Sequence, residues 1–442
     1  MKTLYFETNT KKSASFRKVI ALVVMLGLLP GLCTGCKKQT AERTTWEERN
    51  YTAVELADVD RYSTASAPDI QVLDSAMQRA CERLKSKISK YENGFPATCS
   101  ENGVYKTDER FNWTSGMLTG CYWLAYEYTG DEAFRDAAEN MIEVFKEHSL
   151  TGEWLDDHDT GFIYSPSCVA GYRLTGDESM KEAALNAADI LYDHYDTENK
   201  FIIRSGKRDV DRYDSYRTLV DSMMNIPLFF FAYEETGDQK FYDAAVDHYH
   251  TTMAYLIRDD GSSFHHYQFD PKSGEPVKGL TWQGYSDDSC WSRGHSWLLY
   301  GFPVAYSYTK NAEILPLYNN ISNYYLNRLP SDNIPYWDLC FDDGCDEPKD
   351  SSAAAIAACG FLEMIGYIED EHRKQILKNA ADAQLMSLIN KCENTGGGDG
   401  MLLHVTSALP QGMGIDESTI YADYFYMEAL MRYLNPEFLR YW

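Results

Sequence analysis

Hydrophobic and polar residues alternate along this chain mostly with the spacing of α-helices. Alanine-rich segments such as Asp136–Lys146, Lys181–Tyr195 and Ser352–Ile368 repeat apolar residues every three to four positions. This is the pattern of a helix that buries one face. Strand-like alternation is scarce, and its best candidates are Tyr255–Arg258 and Phe264–Phe269. The pattern therefore predicts an all-α protein.

A turn of constant composition separates several of these stretches. It reads Thr-Gly-Asp at residues 129–131, 175–177 and 236–238, and the copies lie 46 and 61 residues apart. Glycine ends one helix in the left-handed conformation, and aspartate caps the next. The spacing fits a helical hairpin with its loop, and about six such units fit into the chain after residue 66. We predict an (α/α)6 toroid, a closed barrel of six helical hairpins. An open superhelix of helix pairs is the alternative.

One apolar stretch contains a charge that its surroundings do not explain. Asp221 interrupts the run from Leu219 to Ala232, which is otherwise almost entirely apolar or small. An unpaired carboxylate is costly to bury, so it takes up a proton or finds a partner. A carboxylic acid that keeps its proton near neutral pH can act as a general acid. The alternative is a structural aspartate bonded to Asn225, four residues further along the same predicted helical face.

Polar and aromatic loops carry the other candidates for chemistry. Asp156–Asp159 contains three acids and one histidine. Consecutive residues rarely converge on one ion, so we expect no metal, and nothing in the sequence calls for another cofactor. Gln283, Trp291, Arg293 and Trp297 follow one another closely and suggest a sugar platform with a cationic contact. A packed tryptophan cluster with an extended arginine is the competing interpretation.

The charge of the chain limits its partners. The formal net charge of the 442 residues is −26, which argues against nucleic acid and against anionic membrane surfaces. An acidic substrate must therefore be held by a local basic patch. Outside residues 1–36 no Cys-x-x-Cys pair occurs, which argues against a zinc or iron–sulfur site. Cys340 and Cys345 are close enough in sequence to pair in an oxidising compartment.

The first residues have the pattern of a bacterial lipoprotein signal. Basic residues precede an apolar stretch that is too short to span a bilayer comfortably, and small residues then precede Cys36. We predict a signal peptide over residues 1–35, a polar tether over 36–66 and a single catalytic domain over 67–442. Lipidated at Cys36, the exported protein would lie in the periplasm or at the outer membrane, held to the membrane only by this anchor. Ordinary secretion or an uncleaved anchor is the alternative.

Taken in order, these segments resemble the unsaturated glucuronyl hydrolases, glycoside hydrolase family 88. The resemblance covers nearly all of residues 70–435 and depends on the order and spacing of several short elements. They are Asn112-Trp113-Thr114-Ser115-Gly116, His158-Asp159-Thr160-Gly161-Phe162, Asp221-Ser222-Met223-Met224-Asn225, Ser262-Ser263-Phe264-His265, Gln283-Gly284, Trp291-Ser292-Arg293-Gly294, Asp350-Ser351-Ser352-Ala353 and Asp423-Tyr424-Phe425-Tyr426.

The resemblance implies a fold, a substrate and a reaction. The fold is the (α/α)6 toroid. The substrate is an oligosaccharide, here of glycosaminoglycan type, whose non-reducing end is a 4,5-unsaturated uronic acid left by a polysaccharide lyase. The reaction hydrates the double bond: a proton goes to C4, water adds at C5, and the glycosidic bond then breaks. Asp221 corresponds to the general acid/base, and Asp159 to a second essential carboxylate that holds sugar hydroxyls.

The resemblance also implies the residues that bind the sugar. We expect these to be Trp113, His265, Gln283, Trp291 and Arg293, joined by Trp297 and Asn225, with Arg293 as the cationic contact to the acidic substrate. The chain departs from the family at Ser115, Met117, Leu118, Trp282 and the loop 408–414, which leaves linkage and sulfation preference open.

Two other functions remain compatible with the sequence. The related unsaturated rhamnogalacturonyl hydrolases share the toroid and an aspartate equivalent to Asp221, but the element around Asp159 favours the glucuronyl class. A lipid-anchored glycan-binding protein without catalysis is the alternative from a different functional class. It leaves the buried Asp221 without a role.

Overall fold

The structure is a computed structural model that describes residues 45–49, 51–63, 67–108 and 110–442. The predicted signal peptide and Cys36 lie outside these residues. Within the described part of the chain, no helix is both long enough and apolar enough to cross a membrane.

The described residues form fourteen α-helices, joined by loops and by short 3-10 and π-helical turns. In chain order these are α1 (Val59–Ser63), α2 (Ile70–Lys85), α3 (Ser115–Thr129), α4 (Glu132–Thr151), α5 (Thr160–Tyr164), α6 (Ala170–Thr175), α7 (Glu178–Asp193), α8 (Ile226–Thr236), α9 (Gln239–Thr251), α10 (Ser292–Thr309), α11 (Ile314–Arg328), α12 (Ser351–Met364), α13 (Glu371–Ser387) and α14 (Ile420–Leu434).

The helices form two concentric rings. The inner ring consists of α3, the pair α5–α6, α8, α10, α12 and α14; each contacts the next, and α14 returns to contact α3. The outer ring consists of α2, α4, α7, α9, α11 and α13, each packed on an inner helix next to it in the chain. Six inner and six outer members in a closed order confirm the (α/α)6 toroid.

Sequence composition explains which helices lie inside. Every residue of α12 from Ser351 to Phe361 is buried, because this helix is surrounded by protein on all sides. Helix α4 buries one stripe, which includes Phe134, Ala138 and Phe145, at the spacing of a helix with one solvent face.

The repeated turn behaves as predicted. Gly130, Gly176 and Gly237 adopt left-handed φ values of 67°, 73° and 68°. In each case the following aspartate accepts a hydrogen bond from a backbone N–H two residues further on, at the start of an outer helix. A weaker copy has Asp370 capping α13. The turn therefore connects inner helices to outer helices at the same end of the toroid.

Seven short strands are described, and three of them bear on the site. The strands are β1 (Phe95–Pro96), β2 (Thr107–Asp108), β3 (Tyr195–Asp196), β4 (Phe201–Ile202), β5 (Arg217–Leu219), β6 (His266–Phe269) and β7 (Pro276–Leu280). β1 pairs with β2, β3 with β4, and β5, β6 and β7 form one antiparallel sheet in that order.

The strand predictions are only partly right. The strand within Phe264–Phe269 starts two residues later than predicted, at His266. The predicted strand Tyr255–Arg258 is wrong, because residues 252–256 continue helix α9 as a π-helical turn. Packing of this segment on the toroid outweighs its short local alternation of residue types.

The predicted tether is folded where the structure describes it. Arg49 donates hydrogen bonds to the carbonyls of Ala254 and Ile257, at 2.7 and 2.8 Å. Arg61 donates to the carbonyl of Leu329 at 2.9 Å, and Tyr62 is buried. Residues 45–49 and 51–63 therefore belong to the catalytic domain, which begins earlier than residue 67.

The nine described cysteines are all free. Cys340 and Cys345 do not pair in this structure, contrary to the suggestion from their spacing. The thiol of Cys345 lies against the hydroxyl of Tyr336 instead.

Candidate active site

A cavity of about 390 Å³ is lined mainly by the chain segments that precede the inner helices α3, α5, α8 and α10. Its wall combines carboxyl groups, imidazoles, guanidinium groups and four tryptophans. The lining residues are Trp113, Asp157, His158, Asp159, Arg204, Arg217, Leu219, Asp221, His265, His266, Trp282, Gln283, Trp291, Arg293, Trp297, Ser407, Ala408 and Met413. Eight of the nine residues predicted from sequence for catalysis or binding are among them.

Asp221 lies in a 3-10 turn, Val220–Met224, that directly follows β5. Its side chain is 15% exposed, and its Oδ2 atom is buried without a hydrogen-bond partner in the described structure. Burial raises the pKa of this carboxyl to about 6; His158 and Arg293 oppose the shift, and Asp159 adds to it. A carboxyl group with this pKa can give and take a proton near neutral pH.

His265 faces Asp221 across the cavity wall. Its Nδ1 accepts hydrogen bonds from the backbone N–H groups of Trp282 and Gln283, both at 3.2 Å. The proton of the neutral imidazole therefore resides on Nε2, which lies 3.8 Å from Oδ2 of Asp221. Burial, with His266 and Arg217 nearby, lowers the pKa of His265 well below its ordinary value. The ring is thus a neutral hydrogen-bond donor aimed at the space beside the acid.

Asp159 sits at the N-cap position of α5, next to two other polar residues. Nε2 of His158 lies 3.4 Å from Oδ1 of Asp157 and 3.6 Å from Oδ1 of Asp159. Burial and the neighbouring Asp157 raise the pKa of Asp159 well above its ordinary value. The carboxyls of both Asp159 and Asp221 are therefore pushed towards the protonated form.

The side-chain atoms that Asp157, His158 and Asp159 could offer to a metal ion lie within 4.8 Å of one another. The His158 Nδ1 atom lies 3.1 Å from the hydroxyl of Ser222. Burial lowers the pKa of His158. The ring therefore connects the Asp159 segment to the turn that carries Asp221.

Asn225 is not a lining residue. Its side chain is fully buried, accepts a hydrogen bond from the Phe162 backbone N–H at 2.9 Å and donates to the Asp221 carbonyl at 3.3 Å. A Cβ atom on Gly161 would lie 2.4 Å from the Cα of Asn225, so the two backbones are too close for a side chain at this position. The prediction that Asn225 binds substrate is corrected: it fixes the two acid-bearing segments against each other from behind the wall.

Arg293 lines the cavity but is engaged in internal bonds. It is 2% exposed; its NH1 group donates to Asp350 Oδ2 at 2.8 Å and to the Thr406 carbonyl at 2.9 Å, and its NH2 group donates to the Ser407 carbonyl. The guanidinium lies over the rings of Trp291 and Tyr421. Asp350 neutralises the charge of Arg293, and the bonds to the Thr406 and Ser407 carbonyls hold the 406–407 loop in place. Arg293 therefore has no uncompensated charge to offer the acidic substrate that it was predicted to contact.

The predicted aromatic wall is present, with different degrees of exposure. Trp113 packs against Tyr421 at 5.1 Å between ring centroids, and Trp291 against His265 at 4.6 Å. Trp297 also lines the cavity but is only 1% exposed. Gln283 donates its amide N–H to the Ser407 carbonyl at 3.1 Å. Trp282, one of the positions that departs from the family, also lines the cavity and is 53% exposed.

Arg204, Arg217, His158, His266 and Met413 also line the cavity, and sequence reasoning missed their contribution. Arg217 and Leu219 are two residues apart on β5 and therefore lie on the same side of the strand. A strand of three residues is too short for this alternation to be recognised in the sequence. Arg204 is brought next to Arg217 by a backbone hydrogen bond of 2.9 Å from its N–H to the Arg217 carbonyl.

The Glycosyl Hydrolase Family 88 model matches residues 86–433. The chain belongs to glycoside hydrolase family 88. Among members of this family, the unsaturated chondroitin disaccharide hydrolase of Streptococcus pneumoniae (strain ATCC BAA-255 / R6) is 41% identical over 362 residues, which is 81% of this chain and 91% of the relative. Membership makes the protein a glycosidase, and the alternative of a glycan-binding protein without catalysis is wrong.

Solved structures of family 88 enzymes share the fold. The crystal structure of unsaturated glucuronyl hydrolase from Streptococcus agalactiae has a TM-score of 0.86 and 38% sequence identity, and the match covers 89% of this chain and 99% of that one. A variant of the same enzyme, in complex with dGlcA-GalNAc6S, has a TM-score of 0.78 and 36% identity, over 89% and 100% of the two chains.

Proposed function

We propose that this protein removes a 4,5-unsaturated uronic acid from the non-reducing end of oligosaccharides produced by polysaccharide lyases. The decisive observation is the carboxyl of Asp221, which lines a cavity walled by tryptophans and whose buried Oδ2 accepts no hydrogen bond from the described residues. Unsaturated disaccharides of the glycosaminoglycan type are the proposed substrates, because family 88 relatives are named for chondroitin disaccharides and glucuronyl groups. The rhamnogalacturonyl alternative has no such support.

The reaction is a hydration of the ring double bond. Asp221 delivers its proton to C4, and a water molecule adds at C5 while the carboxylate takes up a proton from it, which restores the acid. The product is a hemiketal at C5. Its ring opens to a ketone, and the hemiacetal left at C1 releases the second sugar.

The environment of Asp221 suits proton transfer to carbon. Such a transfer needs a strong local acid in a site that excludes most bulk water. His265 stays neutral and keeps its proton on Nε2, so it can donate a hydrogen bond to water or to a sugar oxygen beside Asp221 without competing for the proton. We assign it the positioning of the water.

Asp159 is assigned to the sugar hydroxyls. It lies on the far side of His158 from the Ser222 hydroxyl, within the same cavity. In its protonated form a carboxyl both donates and accepts, which suits a hydroxyl that needs one bond of each kind. Gln283 and the tryptophans Trp113 and Trp291 complete the sugar wall.

The test uses the purified full-length protein and a defined unsaturated disaccharide. The expected result is loss of the ultraviolet absorbance of the conjugated double bond, with release of the second sugar. The same disaccharide with a saturated uronic acid is the control and should not be cleaved, because hydration needs the double bond. In D2O the product should carry one deuterium at C4. Cleavage of the saturated disaccharide would point to direct displacement at C1 and contradict the proposal.

We further propose that the protein is exported and lipidated at Cys36. The sequence supports this proposal, because basic residues precede an apolar stretch and small residues then directly precede Cys36. Substitution of Cys36→Ser should shift the protein from the membrane fraction to the soluble fraction or leave its signal uncleaved. Unchanged fractionation would contradict lipidation at this residue.

A further inference from the structure

The cavity has to receive an anion although its wall holds as many carboxyl groups as guanidinium groups. It is lined by Asp157, Asp159 and Asp221, and the whole chain carries a formal net charge of −26. A uronic acid adds a further carboxylate at the centre of the reaction. Binding it therefore requires a cation in the wall that is not already neutralised by the protein.

Three arginines line the cavity, and two of them are already engaged. Arg293 is paired with the buried Asp350 at 2.8 Å and bonded to two backbone carbonyls. The Arg204 side chain is 42% exposed, and its NH2 group lies 3.7 Å from Oδ2 of Asp157. Neither presents a full uncompensated charge to the centre of the cavity.

Arg217 differs from both. Within the described residues it forms no ion pair, and its Nε is buried without a hydrogen-bond partner. Its NH1 group faces Nε2 of His266 at 3.3 Å. Burial, with Arg217 close by, lowers the pKa of His266 to about 3, so this imidazole is neutral and does not pair with the guanidinium charge. Asp214 and Asp157 attract the guanidinium only at longer range, without an ion pair. A partly buried cation with a spare donor is costly to hold, and an anionic ligand relieves that cost.

The position of Arg217 fits the geometry of the reaction. Arg217 and Leu219 both line the cavity from β5, and the turn with Asp221 follows at once. In an unsaturated uronic acid the carboxylate is attached to C5, next to the C4 atom that receives the proton. The acid and the group that holds the carboxylate must therefore lie within about one sugar ring of each other, as two residues on one short segment can.

From this juxtaposition we propose that Arg217 binds the carboxylate of the unsaturated uronic acid, with Arg204 as an outer cation beside it. The inference rests on the proposed function, since it names the residue that holds the substrate's charge. Arg217 is a specificity-determining residue in this assignment, and Arg293 supports the wall.

Binding can be measured without turnover, because Trp113, Trp282, Trp291 and Trp297 line the cavity and their fluorescence reports its occupancy. The full-length protein with Arg217 and with Arg217→Gln, both also carrying Asp221→Asn so that the double bond is not consumed, are titrated with an unsaturated disaccharide and with its uronate methyl ester. For the acid, Arg217→Gln should weaken binding about 10- to 100-fold, the range of a hydrogen bond to a charged group. For the neutral ester, the proteins with and without Arg217 should bind alike. Arg217→Lys should restore part of the affinity for the acid.

Arg212→Gln is the matched control, because Arg212 is an exposed arginine five residues away and does not line the cavity. It should leave both affinities unchanged. Equal losses for acid and ester in Arg217→Gln would mean a structural role and overturn the inference, as would unchanged binding of the acid.

The absorbance assay separates this inference from the proposed function. Turnover by the wild type together with unaltered acid binding in Arg217→Gln would refute the role of Arg217 alone. If the wild type never consumes the double bond but still binds the acid more tightly than the ester, and this preference depends on Arg217, the proposed function alone is refuted.

Discussion

Asp221, in the 3-10 turn before inner helix α8, and Asp423, in inner helix α14, are two carboxyl groups in largely apolar segments. Burial is the main cause of a raised pKa in both, to about 6 for Asp221 and about 7 for Asp423. Their bonding differs. Asp423 accepts backbone N–H bonds from Met401 and Leu402 at 2.7 and 3.1 Å, and a bond from the Tyr105 hydroxyl at 2.9 Å. Asp221 lines the cavity, and its Oδ2 accepts no hydrogen bond from any described residue.

The difference shows what distinguishes a reactive acid from a structural one. Burial alone raises the pKa of both groups, so a shifted pKa does not identify the site. Asp423 directs its oxygens to protein donors and fixes the 401–402 loop to helix α14. Asp221 lines the cavity where a substrate would lie, and its Oδ2 has no donor among the described residues. The raised pKa together with this unsatisfied oxygen and the place in the cavity marks the candidate proton donor.

The largest expected effect is on turnover in Asp221→Asn. The amide cannot deliver a proton to C4, so kcat should fall by about 100- to 10,000-fold, the usual contribution of general acid–base catalysis. Circular dichroism and the melting temperature should show an intact fold. If Asp221→Asn has the wild-type rate, Asp221 takes no part in the reaction and is a structural acid like Asp423.

Asp423→Ala should have the opposite profile. It leaves the buried N–H groups of Met401 and Leu402 without an acceptor, which should cost about 2–5 kcal/mol of unfolding free energy. Urea denaturation measures this loss. Turnover per folded molecule should stay at the wild-type level, and a selective loss of kcat in a stable protein would contradict the structural role.

Stability against pH gives a third test of the comparison. The pKa of Asp221 is raised in the folded state from 3.8 to about 6, so its protonated form stabilises the fold fully below pH 3.8. That contribution is lost as the pH rises through about 6. Asp221→Asn removes the cost of burying the charge, so above pH 6 the variant should be more stable than wild type by about 1–3 kcal/mol.

The control for this measurement is the same pair of proteins below pH 3.8. There the difference in unfolding free energy should shrink, because the carboxyl is protonated in both the folded and the unfolded state. A difference that does not change with pH would mean that the charge of Asp221 is not buried at a cost.

Tyr105→Phe should give the smallest effect. It removes the hydroxyl that bonds Asp423 but leaves both backbone donors in place, so the expected loss is about 1 kcal/mol of unfolding free energy. Turnover should not change, since Tyr105 does not line the cavity. A clear drop in kcat would show that the Asp423 network reaches the active site.

Local sequence determined a large part of the architecture. Glycine at 130, 176 and 237 and the aspartate after each of them set where inner helices end and outer helices begin. Apolar residues on all sides of α12 and on one side of α4 indicated which helices lie inside. These features depend on neighbours within a few residues, which is why they could be predicted.

Long-range contacts decided what the sequence could not. Asp221 and Asn225 were expected on one helical face, but Asp221 lies in a 3-10 turn that ends just before Asn225, and Asn225 accepts a hydrogen bond from the Phe162 N–H, 63 residues away. Arg293 looked like a contact for an acidic substrate until Asp350, 57 residues away, was found to neutralise it. Nothing near Arg293 in the sequence indicates that pairing.

Asp221 as an anomalous charge, the capping turns and the order of the family elements were determined by the sequence alone, because each depends on residue type and short spacing. The partner of each polar atom was decided only by the tertiary structure. Asp221 and Asp423 have similar apolar neighbours in sequence, yet one meets backbone donors and the other meets a cavity. Closing the toroid brings distant loops together at the ends of the inner helices, and this decides which buried acid is free to react.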